Sequence, residues 1–295
     1  MKKFIILISV YNDWKSVFKL LENIDIQIAN WKAKVFVLII NDASTEAKEN
    51  TGLKFKNIKS VRVMNMKRNR GHARCYATGL KFLIEKEDFD HVILMDGDGE
   101  DRPEELNLFY KETTQNPSKT ITANRIGRSE GFFFKILYQC HKILTYVFTG
   151  KLVKFGNYSC LPKIAVNNLV KEACIWSSFS GSVVKIISDR ISIPSIRGKR
   201  YFGPSHMNFF NLLIHSFSII AIFKKSVVIR SILFSFLYLF FVFKSLTIVT
   251  FVPVIIIFIF SFFIHQISSR ENIEELNSSL DNISSIDILS SSNGG

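Results

Sequence analysis

The chain has 295 residues, 47% of them hydrophobic, and a formal charge of +13. It is long enough to bury one large α/β core or two smaller ones. Its four cysteines, Cys75, Cys140, Cys160 and Cys174, show neither CxxC nor zinc-type spacing, which excludes a disulfide framework and leaves buried reduced thiols as the expectation. The charge is unevenly spread. From Ser268 onward there is one Arg against five acidic residues, so the rest of the chain carries +17. Such an excess suits anionic partners, and the apolar second half points to a membrane and phosphorylated substrates rather than nucleic acid.

Met1-Lys2-Lys3 and the apolar Phe4–Val10 superficially resemble a signal peptide. The run is short, however, and breaks into Tyr11-Asn12-Asp13 with no small-residue cleavage site, so a buried first strand is predicted. Compact apolar runs at Lys34–Ile40, Val61–Met66, His91–Met95 and Thr120–Ala123 predict further strands. Between the first two strands, Trp14, Val17, Phe18, Leu21, Ile24 and Ile28 recur at helical spacing. Ala73, Ala77, Leu80 and Ile84 do so after the third. Alternating strand and helix implies a mostly parallel sheet covered on both faces, with ligands bound beyond the carboxyl ends of its strands. Tyr11-Asn12-Asp13, Asn41-Asp42-Ala43-Ser44, Lys67-Arg68-Asn69 and Asp96-Gly97-Asp98 all fall at that edge.

Further along, Gly131–Gly150 reads as an amphipathic aromatic helix and Gly156-Asn157-Tyr158-Ser159 as a turn. A helix is expected after Pro162 and a strand at Ile191–Ile196. Met207–Phe223 is apolar with Asn208, Asn211, His215 and Ser218 interspersed, as in an interfacial amphipathic helix, with a third span as the alternative. Ser226–Phe243 holds one charge, Arg230, and Leu246–Ile267 holds no Asp, Glu, Lys or Arg across 22 residues. At roughly 1.5 Å per residue such a segment crosses a hydrocarbon core. Lys244-Ser245 leaves room only for a hairpin. Lys224, Lys225, Arg230 and Arg270 on one side, against Lys244 on the other, put both chain ends in the cytoplasm. The domain reading is therefore residues 1–206 catalytic, 207–225 interfacial, 226–267 two spans, and 268–295 a disordered acidic, Ser-rich tail.

Asp96 and Asp98, two residues apart where the chain leaves a strand, can both approach one hard cation such as Mg²⁺ or Mn²⁺. Such an ion neutralises charge on a departing diphosphate. Taken with the order of the polar segments, the chain resembles family 2 glycosyltransferases of the nucleotide-diphospho-sugar transferase (GT-A) fold. The dolichol-phosphate mannosyltransferase and bactoprenol glucosyltransferase branch is the most similar, over about residues 3–223. Ser9-Val10-Tyr11-Asn12-Asp13 and Ile40-Asn41-Asp42-Ala43-Ser44 stand at the first two motifs. The resemblance implies a nucleotide-sugar site holding Tyr11, Asn12, Asp13, Asp42, Arg68, Gly71, Asp96 and Arg125, with a UDP- or GDP-linked donor. It implies metal ligands Asp96, Asp98 and Glu100. Arg125 and Arg128, in Asn124-Arg125-Ile126-Gly127-Arg128, would meet the diphosphate.

Arg200, Ser205 and His206, in Arg200-Tyr201-Phe202-Gly203-Pro204-Ser205-His206-Met207, resemble the segment facing a polyprenyl phosphate. The departures are Val10 for Thr, Ala43 for Gly and His206 for Lys. The last removes a permanent charge and keeps a saccharide or cell-envelope glycan acceptor open as an alternative. The expected reaction is direct displacement with inversion, in which a phosphate acceptor needs no strong base. A hydroxyl acceptor would need Asp101 or Glu100. A homo-oligomer is compatible with this reading, as is a non-catalytic membrane-anchored binding protein. His72 and His141 read as packing or helix-surface histidines.

Overall fold

The computed structural model describes residues 1–48, 52–127, 132–204 and 209–291. The elements in chain order are β1 (Lys2–Val10), α1 (Trp14–Gln27), β2 (Ala33–Asn41), β3 (Ile58–Met66), α2 (His72–Lys86), β4 (His91–Asp96), α3 (Leu106–Gln115) and β5 (Thr120–Gly127). There follow α4 (Phe132–Thr149), β6 (Ser159–Pro162), α5 (Lys163–Leu169), α6 (Phe179–Ile186), β7 (Arg190–Ile196), α7 (Phe209–Ala221), α8 (Lys224–Val242), α9 (Val252–Ser268), α10 (Ile273–Asn277) and β8 (Ile283–Ser291).

The strands form one eight-stranded sheet in the order β7-β5-β6-β4-β1-β2-β3-β8. β1 lies at its centre, parallel to β2 and β4, and β2 is parallel to β3. Seven consecutive residues, Phe4 to Val10, are buried. An uninterrupted apolar run is what a strand covered on both faces requires. Ile5 and Leu7 pack on one face with Tyr76, Leu80 and Leu83 of α2 and with Val166 of α5. Phe4, Ile6 and Ile8 pack on the other with Val17 and Leu21 of α1 and Phe109 of α3. β6 enters antiparallel to both β4 and β5, so part of the segment read as a turn is a strand.

A third apolar cluster joins Phe148 of α4, Ile220 of α7, Val227 of α8 and Ile264 of α9. Among the described residues, two helical stretches are long and apolar enough to cross a membrane, Lys224–Ser245 and Ile248–Asn277. Only 17% and 11% of their most apolar windows are buried, whereas the core helix of a soluble domain would be covered. They run against each other as a hairpin, with Ser231 and Ser261 hydrogen-bonded across it at 2.6 Å. Arg230 donates to the carbonyl of Val147 at 2.9 Å, tying α8 to the end of α4. The segment expected at the interface, α7, buries its C-terminal end (Ser218 to Phe223) against its neighbours.

The tail corrects the expectation of disorder. Asn272 caps α10 by accepting from the Glu275 N–H at 2.9 Å, and β8 pairs antiparallel with β3 at the sheet edge. Its Ser-rich composition masks three isoleucines, of which Ile283 packs against the core and Ile286 and Ile288 lie exposed. The open edge of β3 supplies the backbone partners that an isolated tail of this composition would lack. Both ends of the apolar hairpin therefore join the same α/β body.

Candidate active site

The residues following β1, β2 and β4 meet at the carboxyl edge of the sheet. After β1 the chain turns at Asn12, whose φ of 51° lies in the left-handed region that Asn tolerates better than most residues. Its Oδ1 accepts from the Thr45 and Glu46 N–H groups at 2.8 and 3.1 Å, and its own N–H donates to Ser44 Oγ at 3.0 Å. Asn12 thus fastens the loop after β2 and acts as a brace. Ala43, with φ of 56°, stands where the resembled motif has Gly, and carries the strain Gly would avoid.

Asp42 is buried, and its two oxygens accept from the backbone N–H groups of Arg70 and Gly71, both at 2.8 Å. Gly71 makes this loop possible, since its φ of 85° with ψ of 157° belongs almost solely to Gly. The expected nucleoside residues Asp42 and Gly71 are therefore one structural unit, whereas Tyr11 and Arg68 are exposed.

Asp96 ends β4 and is the most heavily networked carboxylate. Its Oδ1 accepts from Asn157 Nδ2 at 3.1 Å and Tyr76 Oη at 3.3 Å, and lies 3.1 Å from His72 Nε2. The other ring nitrogen of His72 shares a 2.7 Å hydrogen bond with Ser9 Oγ. Burial, the largest single influence, lowers the His72 pKa, but the charge and hydrogen bond of Asp96 together with the charges of Asp98 and Asp101 outweigh it, and the net shift is upward. Burial likewise raises Asp96, and the charge and hydrogen bond of His72 together with the Arg125 charge and the Asn157 hydrogen bond reverse this, holding the carboxyl below the usual range. His72 corrects its reading as a packing histidine. Its signal was its place at the start of a helix, directly after the Gly71 loop at the sheet edge.

Asp98 Oδ2 accepts from Arg200 Nη1 at 2.6 Å, while Arg200 Nη2 donates to Asp13 Oδ2 at 2.5 Å. Burial, then repulsion from Asp96 and Glu100, pushes Asp98 up to about 6. Arg197 donates to the Glu100 carboxylate. Gly99, with φ of 87°, lies under the Tyr201 ring, and the Tyr201 N–H donates to the Asp98 carbonyl at 3.0 Å. The segment 197–201 thus runs alongside the acidic loop. Its carrier residues Arg197 and Tyr201 were not singled out in the sequence.

Asp101 is buried, accepts from the Asp96 N–H at 2.9 Å, and lies 3.8 Å from Arg125 Nη2. Burial and the Asp96 charge push it up to about 8. It is a support beneath the site, tied to the Asp96 backbone and lying beside Arg125. Arg125 packs against Gly156, where an added Cβ would lie 2.8 Å from its Nη2.

Two expectations about ion binding are modified. Among the described residues no three His, Cys, Asp or Glu side chains gather closely enough to hold a metal ion. Glu100 in particular is paired with Arg197. The donor set nonetheless fits a hard cation. Asp98 sits close to other carboxylates that raise its pKa, and a positive group, the Arg200 guanidinium, already lies on it. Arg200 itself, expected at an acceptor phosphate, bridges Asp13 and Asp98 instead. Arg128, Ser205 and His206 lie outside the described residues.

A parallel-centred sheet with helices on both faces, and an Asp-Gly-Asp turn at the end of its fourth strand, define the GT-A class of nucleotide-diphospho-sugar glycosyltransferase folds. The chain belongs to glycosyl transferase family 2, which its residues 5–175 match. Among curated proteins it is 24% identical over 225 residues to the undecaprenyl-phosphate 4-deoxy-4-formamido-L-arabinose transferase of Klebsiella pneumoniae (strain 342), covering 72% of this chain and 64% of that protein. The chain thus spans just under two thirds of the length of that relative.

Among solved structures, the glucosyl-3-phosphoglycerate synthase of Mycobacterium tuberculosis, in complex with Mn²⁺, UDP and glucosyl-3-phosphoglycerate, is similar with a TM-score of 0.55. Its identity is 11%, with 77% of this chain and 80% of that one covered. The mannosyltransferase PcManGT of Pyrobaculum calidifontis, in complex with GDP-Man and Mn²⁺, gives a TM-score of 0.51 at 11% identity, covering 94% of this chain and 74% of that one. At such identities the two structures share the fold.

Proposed function

We propose that this chain transfers a sugar from a nucleoside-diphosphate sugar to a polyprenyl phosphate at the cytoplasmic face of the membrane, with inversion at the anomeric carbon. The observation that carries this reading is the convergence of Asp13, Asp42, Asp96 and Asp98 at one sheet edge. Basic side chains interleave them in a chain that continues directly into an apolar hairpin. The membrane-lipid acceptor draws further support from the curated relative, whose name specifies undecaprenyl phosphate.

In this reading Asp42, held by the Arg70 and Gly71 amides, and Asp13 meet the nucleoside. Asp96 and Asp98 would hold a divalent cation, with Mn²⁺ in the solved neighbours as precedent. That ion, when bound, supplies positive charge against the departing diphosphate. His72 and Asn157 keep the Asp96 carboxylate in one orientation, and Asp101 fixes its backbone. Arg200, paired with Asp13 and Asp98 here, would be released from them by a bound cation and nucleotide. Its guanidinium then becomes available to an acceptor phosphate, a task that bidentate geometry suits. A phosphate acceptor is already an anion, so catalysis is positioning and charge stabilisation, without a strong base. The return of β8 to the sheet supports an even number of crossings, with both chain ends on the catalytic side.

The test is turnover by the purified protein in detergent, with Mg²⁺ or Mn²⁺, undecaprenyl phosphate and a panel of radiolabelled UDP- and GDP-sugars. Label entering the lipid phase and abolished by EDTA is expected. Nucleotide release without lipid labelling would overturn the acceptor assignment in favour of a saccharide or glycan. Absence of donor binding would overturn the enzyme reading in favour of a binding protein.

A further inference from the structure

The family match ends at residue 175; after the Arg197–Tyr201 stretch, a further contact with the loops of the candidate donor site is made more than ninety residues beyond that point, past the hairpin. β8 alone would be explained as cover for the exposed edge of β3. The side chains and carbonyls around it reach further than an edge cover needs to. The carbonyl of Asn282 accepts from the Lys67 N–H at 2.7 Å, and Asn282 Nδ2 donates to the Arg68 carbonyl at 3.3 Å. Glu275 lies 3.7 Å from Arg70 Nη1, and its carboxylate is fixed by the Trp176 indole N–H at 2.8 Å. These contacts grip the loop whose next two amides, those of Arg70 and Gly71, cradle Asp42.

A second route reaches the same place from the strand side. Asp287 and Ser285 accept from Asn65 Nδ2 at 2.7 and 2.9 Å. Asn65 Oδ1 accepts from Asn41 Nδ2 at 2.9 Å, and Asn41 Oδ1 accepts from the Ser44 N–H at 3.0 Å. Both walls of the proposed nucleoside pocket, 67–71 and 41–44, are thus tied to residues made after the membrane hairpin.

We propose that the segment Asn272–Ser291 is a clamp that holds the 67–71 loop in its Asp42-receiving shape and so sets affinity for the donor nucleotide, with Glu275, Asn282 and Asp287 as positioning residues. The proposal rests on the donor reading of the site given above. The loop has little else to hold it: Lys67, Arg68 and Asn69 are exposed, and Gly71 is in a conformation that a free chain would populate only in part. Loss of the three side-chain anchors is expected to weaken nucleotide binding by about tenfold, equivalent to about 1.4 kcal/mol.

The experiment uses the full-length protein in detergent and the variant Glu275→Ala/Asn282→Ala/Asp287→Ala. Amide hydrogen exchange of the peptide covering 65–72, donor KM and kcat, Kd for UDP and GDP, and Tm are recorded. Faster exchange in 65–72 is expected, with Kd and KM raised about tenfold and kcat within about twofold. Unchanged exchange, or a lowered Tm with unchanged Kd and KM, would overturn the clamp and leave β8 as edge cover. If the triple variant does not fold, Asn282→Ala alone is judged by the same criteria. Should the wild type bind neither UDP nor GDP, the donor reading fails on its own account, and the clamp's role in donor affinity is overturned with it. The exchange measurement then reports separately whether the tail grips the loop.

Discussion

Gly99 tests whether the acidic loop and the segment 197–204 are interlocked as described. Replacing it by Ala forces a Cβ onto a backbone at φ of 87° and places that carbon 2.5 Å from Tyr201 Cε2. The backbone term costs roughly 1–2 kcal/mol. The ring cannot swing away freely, because its Oη accepts from Asn23 Nδ2 at 2.8 Å, and breaking that bond costs about 1 kcal/mol more. The expected destabilisation of Gly99→Ala is therefore about 2–3 kcal/mol. Gly203 supplies the internal control, since it too has positive φ, 62°, but nothing lies within 4 Å of an added Cβ. Gly203→Ala should show the backbone term alone, roughly 1 kcal/mol. The assay is thermal denaturation of both variants in the same detergent, with donor turnover measured beside it. Displacement of Tyr201 also drags its neighbour Arg200 from Asp13 and Asp98, so kcat/KM should fall about tenfold for Gly99→Ala and little for Gly203→Ala. Equal Tm shifts in the two variants, with equal activities, would refute the interlock.

Asp101 carries a pH prediction. Its folded pKa of about 8 against an ordinary 3.8 means folding favours the protonated form. The resulting stability is complete below about pH 4 and lost as pH rises through 8. Wild-type Tm should fall between pH 6 and 9, and Asp101→Asn should flatten that slope. An unchanged slope would show that the group is not buried as a neutral acid. His72→Ala removes the partner that orients Asp96 and should cut kcat by at least about tenfold with the fold retained by circular dichroism, since a 1 Å misplacement of a catalytic group has comparable cost. Ser261→Ala should lower the stability of the hairpin by about 0.6–1.7 kcal/mol, and adding Ser231→Ala should cost little more, because the two share one hydrogen bond. For topology, a cysteine at Ser245 should react with an impermeant maleimide from the face opposite to one at Ser278. Labelling from the same face would contradict a two-span hairpin.

Much of the sheet was legible in the residues. Strands β1, β2 and β4 are buried on both faces, so they had to be written as continuous apolar runs, and their polar exits marked the ligand edge without further information. β6 was not legible, because four residues beginning Ser159-Cys160 carry no periodicity and their pairing depends on β4 and β5 from elsewhere in the chain. β8 was obscured by composition. Two of its polar residues, Ser285 and Asp287, take hydrogen bonds from Asn65, which the sequence of the tail does not reveal. At the site, Asp13, Asp42, Asp96 and Asp98 stand where strand ends put them. Their partners come from distant segments: His72 from α2, Asn157 from the approach to β6, and Arg197 and Arg200 from the stretch after β7. The sequence pattern places groups on an edge, whereas which cation answers which carboxylate is decided by loop packing.

The partners joined at the β3–β8 edge are 220 residues apart where Asn65 meets Ser285. At ribosomal speeds of about 5–20 residues per second, roughly 10–40 s separate the synthesis of β3 from that of its final neighbour. During that interval the nascent domain carries a bare strand edge, and it gains its cover only after both apolar helices have been made. On the proposed two-span reading, maturation of the pocket would follow membrane insertion in time. A chain whose hairpin stalls on its way into the bilayer would hold a half-built donor site and an adhesive edge, a state that quality-control proteases can distinguish from the finished enzyme.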